Sequence, residues 1–202
     1  ADILLWMQKG WIDYVTPQLY WEHGHPLADY DTLVAWWNQY SYNTQVYIGH
    51  GIYRAGSNTT WKDKNEIPYQ IRKMRSYPNL GGSAYFSSSS FKNNLNGWND
   101  SLQNHYYHYP ALAPSVRAQY EVESPVLKKE STNTIVISIQ NAKQIKAFAL
   151  ICKSKEGVHI ETILSGDTRQ LNIKALGLEA NNKYSLVAVG WQNQISAPVS
   201  IN

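Results

Sequence analysis

Residues 45–54 read Gln-Val-Tyr-Ile-Gly-His-Gly-Ile-Tyr-Arg. Val46, Tyr47 and Ile48 are β-branched or aromatic and centre a short strand over 45–49; His50, Tyr53 and Arg54 then fall in the loop that leaves it. Upstream, residues 11–16 form a second such run, ended by Pro17, and downstream residues 82–87 form a third. Helical spacing fills the gaps. Residues 3–9 read as a helix closed by Gly10. Asp31-Thr32 caps a stretch with Leu33, Val34, Trp36 and Trp37 on one side. Asn65-Glu66 opens another, with Pro68 in its first turn and Ile67, Ile71 and Met74 at helical spacing. A last helix is expected over 100–107. Strand and helix in alternation predict parallel β/α units, three of them in about 113 residues.

Beyond Pro110 the period changes. Residues 134–139, 147–151 and 184–189 are apolar or alternating, with shorter candidates at 159–164 and 170–173. Turn signals at 155–157, 165–167 and 180–182 separate them, which predicts a small all-β sandwich that loosely resembles a fibronectin-III-like module. Composition divides at the same place. Residues 1–113 hold 22 of the 26 aromatic residues and balance 8 basic against 8 acidic, whereas 114–202 carry 10 against 7. Two domains are therefore expected, 1–113 and 114–202, joined near Pro110 and Pro114.

Several classes drop out on composition. No apolar run approaches the length of a membrane-spanning helix, and no secretory leader is visible. The net charge of +3 is not gathered into a basic tract, so nucleic acid is not an expected partner. The single cysteine, Cys152, forms no internal disulfide and lies in an apolar strand, where it reads as a core residue. His23 and His25, two apart with no third ligand in view, make a poor metal pair. No metal and no cofactor are expected.

In parallel β/α folds, ligands meet the C-terminal ends of the strands. Those ends offer Gln18, Tyr20, Trp21, Glu22, His23 and His25, then His50, Tyr53 and Arg54, then Phe86 and Ser87 to Ser90. Aromatic faces among amide, imidazole, hydroxyl and guanidinium groups suit a sugar, rings covering its C–H faces and polar groups its hydroxyls. Glu22, alone among carboxylates at these ends, reads either as a general acid or base or as a solvated loop residue. The serine run lacks the G-x-S-x-G context of a nucleophile elbow. Trp6, Trp11, Trp36 and Trp37, inside elements, are expected in the core.

Four strings, GWIDYVTPQLYW (10–21), YIGHGIYR (47–54), GGSAYFSSSSF (81–91) and YYHYPALAP (106–114), resemble the bacterial glycosyl-hydrolase-like family 10, once called domain of unknown function 187. The resemblance implies a (β/α)8 barrel, of which these would be the last three strands, followed by a fibronectin-III-like tail. It further implies a periplasmic or cell-surface glycosidase acting on denuded peptidoglycan strands. Gln18, Tyr20, Trp21, His50, Tyr53 and Arg54 would line the sugar cleft, with Ser87 beside them.

The chain departs from that pattern in length and acids. A whole barrel needs about 250 residues, and the family's Asp-Asp-Tyr-Phe-like acidic segment has no counterpart here. The expectation is a C-terminal fragment of a longer glycosidase, its main acids upstream and Glu22 at best auxiliary. The rest of its own barrel, or a second copy, is expected to complete the sheet. Whether the chain is an enzyme by itself stays open. The alternative is a non-catalytic carbohydrate-binding protein using the same aromatic cleft.

Overall fold

The computed structural model describes residues 1–115 and 120–201. The chain divides into two compact units, Ala1–His108 and Tyr109–Asn202, a mixed α/β architecture with three sheets.

In the first unit α1 (Ile3–Gln8) leads into β1 (Tyr14–Val15), β2 (Gln18–Leu19), α2 (Tyr30–Gln39) and β3 (Gln45–His50). After a 3-10 turn at Ile52–Arg54 come α3 (Thr59–Lys62), α4 (Glu66–Arg75) and β4 (Leu80–Tyr85). The unit ends in α5 (Ser88–Lys92), α6 (Trp98–Ser101) and a π-helical turn at Leu102–Tyr106. All pairings in its sheet are parallel. β1 and β2 pair with successive halves of β3, so they behave as one strand interrupted at Thr16-Pro17. Pro17 was expected to end the strand. It has no N–H to give, but its carbonyl accepts from Gly49 N at 2.8 Å, and the pairing resumes one residue later. Gly49 permits this closeness: a Cβ there would stand 2.9 Å from that same oxygen.

Alternation along the strands decides which face each side chain meets. Val15, Leu19, Val46 and Ile48 face the helices and are buried with Met7, Tyr30, Val34 and Met74. Tyr14, Gln18, Gln45 and Tyr47 belong to the opposite face, where Tyr14 and Tyr47 meet edge-on at 5.8 Å. α2 begins two residues earlier than the sequence suggests, capped by Asp29, whose carboxylate accepts from Thr32 N. Trp11 is 63% exposed, and Trp6 and Trp36 are each more than a third exposed. The tryptophans at the centre of the core are instead Trp61 and Trp98, packed with Ile52, Ile67, Ile71 and Leu102.

The second unit contains β5 (Val126–Lys129), β6 (Thr134–Ser138), β7 (Ile145–Ser154), β8 (Gly157–Ser165), β9 (Gln170–Asn172), β10 (Lys183–Gly190) and β11 (Val199–Ser200). Two antiparallel sheets result, ordered β5-β6-β9 and β11-β10-β7-β8. Inward residues of both, among them Ile135, Ile137 and Leu171 from one and Phe148, Leu150 and Leu186 from the other, share a single apolar core. Cys152 is a fully buried member of it.

Candidate functional site

Helices follow strands here, so the strands' C-terminal ends and the start of α4 lie at one end of the first unit. Tyr20, Tyr53 and Phe86, each just past a different strand, meet there. Tyr20 stacks on Phe86 with centroids 6.0 Å apart. Tyr53 meets both edge-on, at 5.7 and 5.8 Å. Gly51 lets the Tyr20 ring rest on backbone, since a Cβ at that position would reach the ring at 3.1 Å. Phe86 is 55% and Tyr53 46% exposed, and Trp21, next along the chain, is 38% exposed. This is an open aromatic platform. Burial, and then the neighbouring Tyr53, hold the Tyr20 hydroxyl above the usual phenol range, so it remains a neutral donor.

The other expected residues are placed as follows. Gln18 is exposed on the face opposite the helices. Arg54 lies over the Trp61 ring at 5.8 Å, a cation–π contact that commits its guanidinium to that side. Ser87 precedes α5, and its hydroxyl bonds Ser89 at 2.8 Å.

His50 stands apart from the platform. It shares strand parity with Val46 and Ile48, points to the helix side and is fully buried. Its Nδ1 lies 3.0 Å from Gln70 Oε1 and its Nε2 3.1 Å from Ser83 Oγ. The Gln70 amide nitrogen already donates to Glu66 Oε1 and to the Trp21 carbonyl, which makes Oε1 the acceptor. Nδ1 of His50 therefore carries the proton, and Ser83 donates to Nε2. Burial, partly offset by Gln70, pushes the His50 pKa down to about 4, so the ring is neutral near pH 7. With both nitrogens engaged, it presents nothing to a sugar.

Glu22 is likewise buried. It accepts from Asn58 Nδ2 at 2.8 Å and from Trp61 Nε1 at 2.7 Å. Burial works to raise its pKa, but the hydrogen bonds from its own backbone, Asn58 and Trp61, with the charge of His25, win and hold the carboxyl below its ordinary range. A carboxylate kept ionised in this way anchors a loop and is poorly suited to protonating a leaving group.

Sequence reasoning missed Glu66. Its side chain is completely buried at the start of α4, where it accepts from His23 N at 3.0 Å, from Gln70, and pairs with His23 Nδ1. His23, Glu66, Gln70, His50 and Ser83 thus form one continuous polar chain behind the platform. The signal was present in the spacing: Glu66 and Gln70 lie one turn apart on the same buried face as Ile67, Ile71 and Met74. His25 caps its own loop, its Nδ1 accepting from Leu27 and Ala28.

Residues 1–69 match the glycosyl hydrolase-like 10 family. That stretch contains Tyr20, Trp21, Glu22, His50, Tyr53, Arg54 and Glu66, and stops short of β4 and Phe86. Glycosyl hydrolase YngK of Bacillus subtilis is 38% identical over 120 residues, 57% of this chain and 24% of that protein. Glycosyl hydrolase DigH of Escherichia coli is 30% identical over 95 residues, 43% of this chain and 22% of that protein. The chain spans about a quarter of the length of these relatives. The family model and these relatives carry the same glycosyl hydrolase description. Among solved structures, the Clostridium perfringens spore cortex lytic enzyme SleM superimposes over 84% of this chain and 61% of its own, at 9% identity and a TM-score of 0.29, too low to assign a fold. No helix among the described residues is long and apolar enough to cross a membrane.

Proposed function

We propose that the first unit is the C-terminal part of a glycosidase (β/α)8 barrel and that its aromatic platform holds a bacterial cell-wall glycan, denuded peptidoglycan strands being the substrate class. The observation that carries this reading is the convergence of Tyr20, Tyr53 and Phe86 from three successive parallel strands. In such barrels the C-terminal strand ends form the binding face. The strand order β5-β6-β9 against β11-β10-β7-β8 supports a fibronectin-III-like reading of the second unit. By the same family resemblance the protein works outside the cytoplasm.

Hydrolysis of a glycosidic bond needs two carboxyl groups facing the sugar, about 5–10 Å apart. Glu22 and Glu66 are both bonded inside the unit, so the cleaving acids belong to other strands of a complete barrel. The same fact favours a second reading, in which the platform grips glycan without cutting it. Reducing-end release from denuded glycan strands, assayed with the 202-residue chain and with a complete barrel of the family carrying this sequence, separates the two. Release by the complete protein, with binding but no release by the chain, is expected. Binding without release by both makes the carbohydrate-binding reading correct, and failure of both to bind discards the platform as a glycan site.

A further inference from the structure

Away from the platform, the second unit brings together three residues of different ligand chemistry. Cys152 on β7 pairs across the sheet with His159 on β8, and Glu161 lies two residues on, at a bulge where the β7–β8 register shifts, with its carboxylate beside the His159 ring. One ligand atom from each lies within 4.8 Å of the other two. We propose that Cys152, His159 and Glu161 bind a zinc-type divalent ion, a role absent from the sequence reading, in which Cys152 was only a core residue.

Distances decide how much must move. A tetrahedral zinc site has bonds of about 2.3 Å to sulfur and about 2.0–2.2 Å to nitrogen and oxygen. Its ligand–ligand edges are then about 3.4 Å between nitrogen and oxygen and about 3.6 Å to sulfur. His159 Nε2 and Glu161 Oε2 already stand 3.2 Å apart. The sulfur needs to close by at most about 1.2 Å from a separation within 4.8 Å, within the reach of a Cys rotamer and a small shift of an edge strand.

The surroundings fit an ion as well. Tyr109 stacks on the His159 ring, centroids 3.7 Å apart and planes 19° from parallel, which restricts the orientation of the imidazole. His159 and Glu161 line a cavity of about 430 Å³, with Glu156, Glu179 and Lys155 also on its wall. The cavity supplies an entry path and room for a water as fourth ligand, and its three carboxylates outnumber its one ammonium. Thiolate, imidazole and carboxylate together select Zn²⁺ over Mg²⁺ or Ca²⁺, which prefer oxygen alone.

The untagged 202-residue chain, stripped with chelator, is titrated with Co²⁺ and then with Zn²⁺. The expected result is one Co²⁺ per chain, a thiolate-to-cobalt charge-transfer band in the near ultraviolet, and loss of that band as Zn²⁺ displaces the cobalt. His159→Gln, on the sheet edge and checked for fold by circular dichroism, should weaken binding at least about 100-fold. Cys152→Ser should abolish the charge-transfer band; if it does not fold, the His159 variant and the wild-type band carry the test. Absence of the band in the wild-type chain, or unchanged affinity in His159→Gln, overturns the site.

Discussion

The two units solve burial in different ways. The second encloses an apolar core between two antiparallel sheets, with Phe148, Leu150 and Leu186 fully buried at its centre. The first buries Glu22, His50, Glu66 and Gln70 beside its apolar clusters and joins most of them in one hydrogen-bonded chain. Buried polar groups cost several kcal/mol when unpaired, and they gather where a fold must hold a surface in one geometry. In the first unit that chain lies directly beneath the strand ends that carry the aromatic platform. The difference therefore points to the strand ends of the first unit as a prepared face, and to packing as the main source of the second unit's stability.

The largest effect should come from the apolar side of this contrast. Phe148→Ala leaves a cavity in the second unit's core and should cost about 3–5 kcal/mol. Hydrogen exchange of the β7 and β10 amides reads it locally. A loss under about 1 kcal/mol would mean that this core repacks freely, and the contrast with the first unit would lose its basis.

Next in size is a pH effect confined to the first unit. His50 has a folded pKa of about 4 against an ordinary value of 6.5. Between those values the unfolded chain binds a proton that the folded chain refuses. Stability therefore falls as pH drops from 6.5 to 4 and is unaffected by this group above that window, the full difference being about 3 kcal/mol. The lowered pKa of Glu22 acts in the same direction, but only below its ordinary 4.5. Tryptophan emission reports the first unit, since seven of the eight tryptophans lie in residues 1–113. His50→Gln should remove the slope between pH 6.5 and 4.5, and an unchanged slope would mean that His50 is not the neutral link described here.

This histidine also shows how far the residues alone could be read. Strand positions were legible because runs such as Val46-Tyr47-Ile48 are β-branched and aromatic, and the meeting of Tyr20, Tyr53 and Phe86 follows once three strands are taken as parallel. His50 was expected in the cleft because it follows a strand and sits between two glycines. Parity with Val46 and Ile48 argues the reverse, and the structure follows parity. Glu22 could not be judged locally, because its partners Asn58 and Trp61 lie 36 and 39 residues further on. The short strands β5 and β11 escaped detection for a similar reason: each depends on pairing with a neighbour more than on its own pattern. The exposure of Trp11 and the burial of Trp61 are likewise decided by long-range packing.

The smallest effect is the most specific to the site. Phe86→Ala and Trp21→Ala each remove a ring that is more than a third exposed, so the fold should lose little. If the platform holds a sugar, each should weaken binding of denuded glycan strands by about 0.5–1.5 kcal/mol, roughly two- to twelvefold. Trp11→Ala supplies the contrast, because Trp11 is 63% exposed but precedes β1, at the opposite end of the strands from the platform. Titration calorimetry on the three variants then asks whether position or mere aromatic exposure governs binding. Loss in Phe86→Ala and Trp21→Ala with Trp11→Ala unchanged assigns the glycan to the C-terminal strand ends. Equal loss in all three would mean that sugar adheres to exposed rings wherever they occur, and the buried polar chain beneath the platform would then serve stability alone.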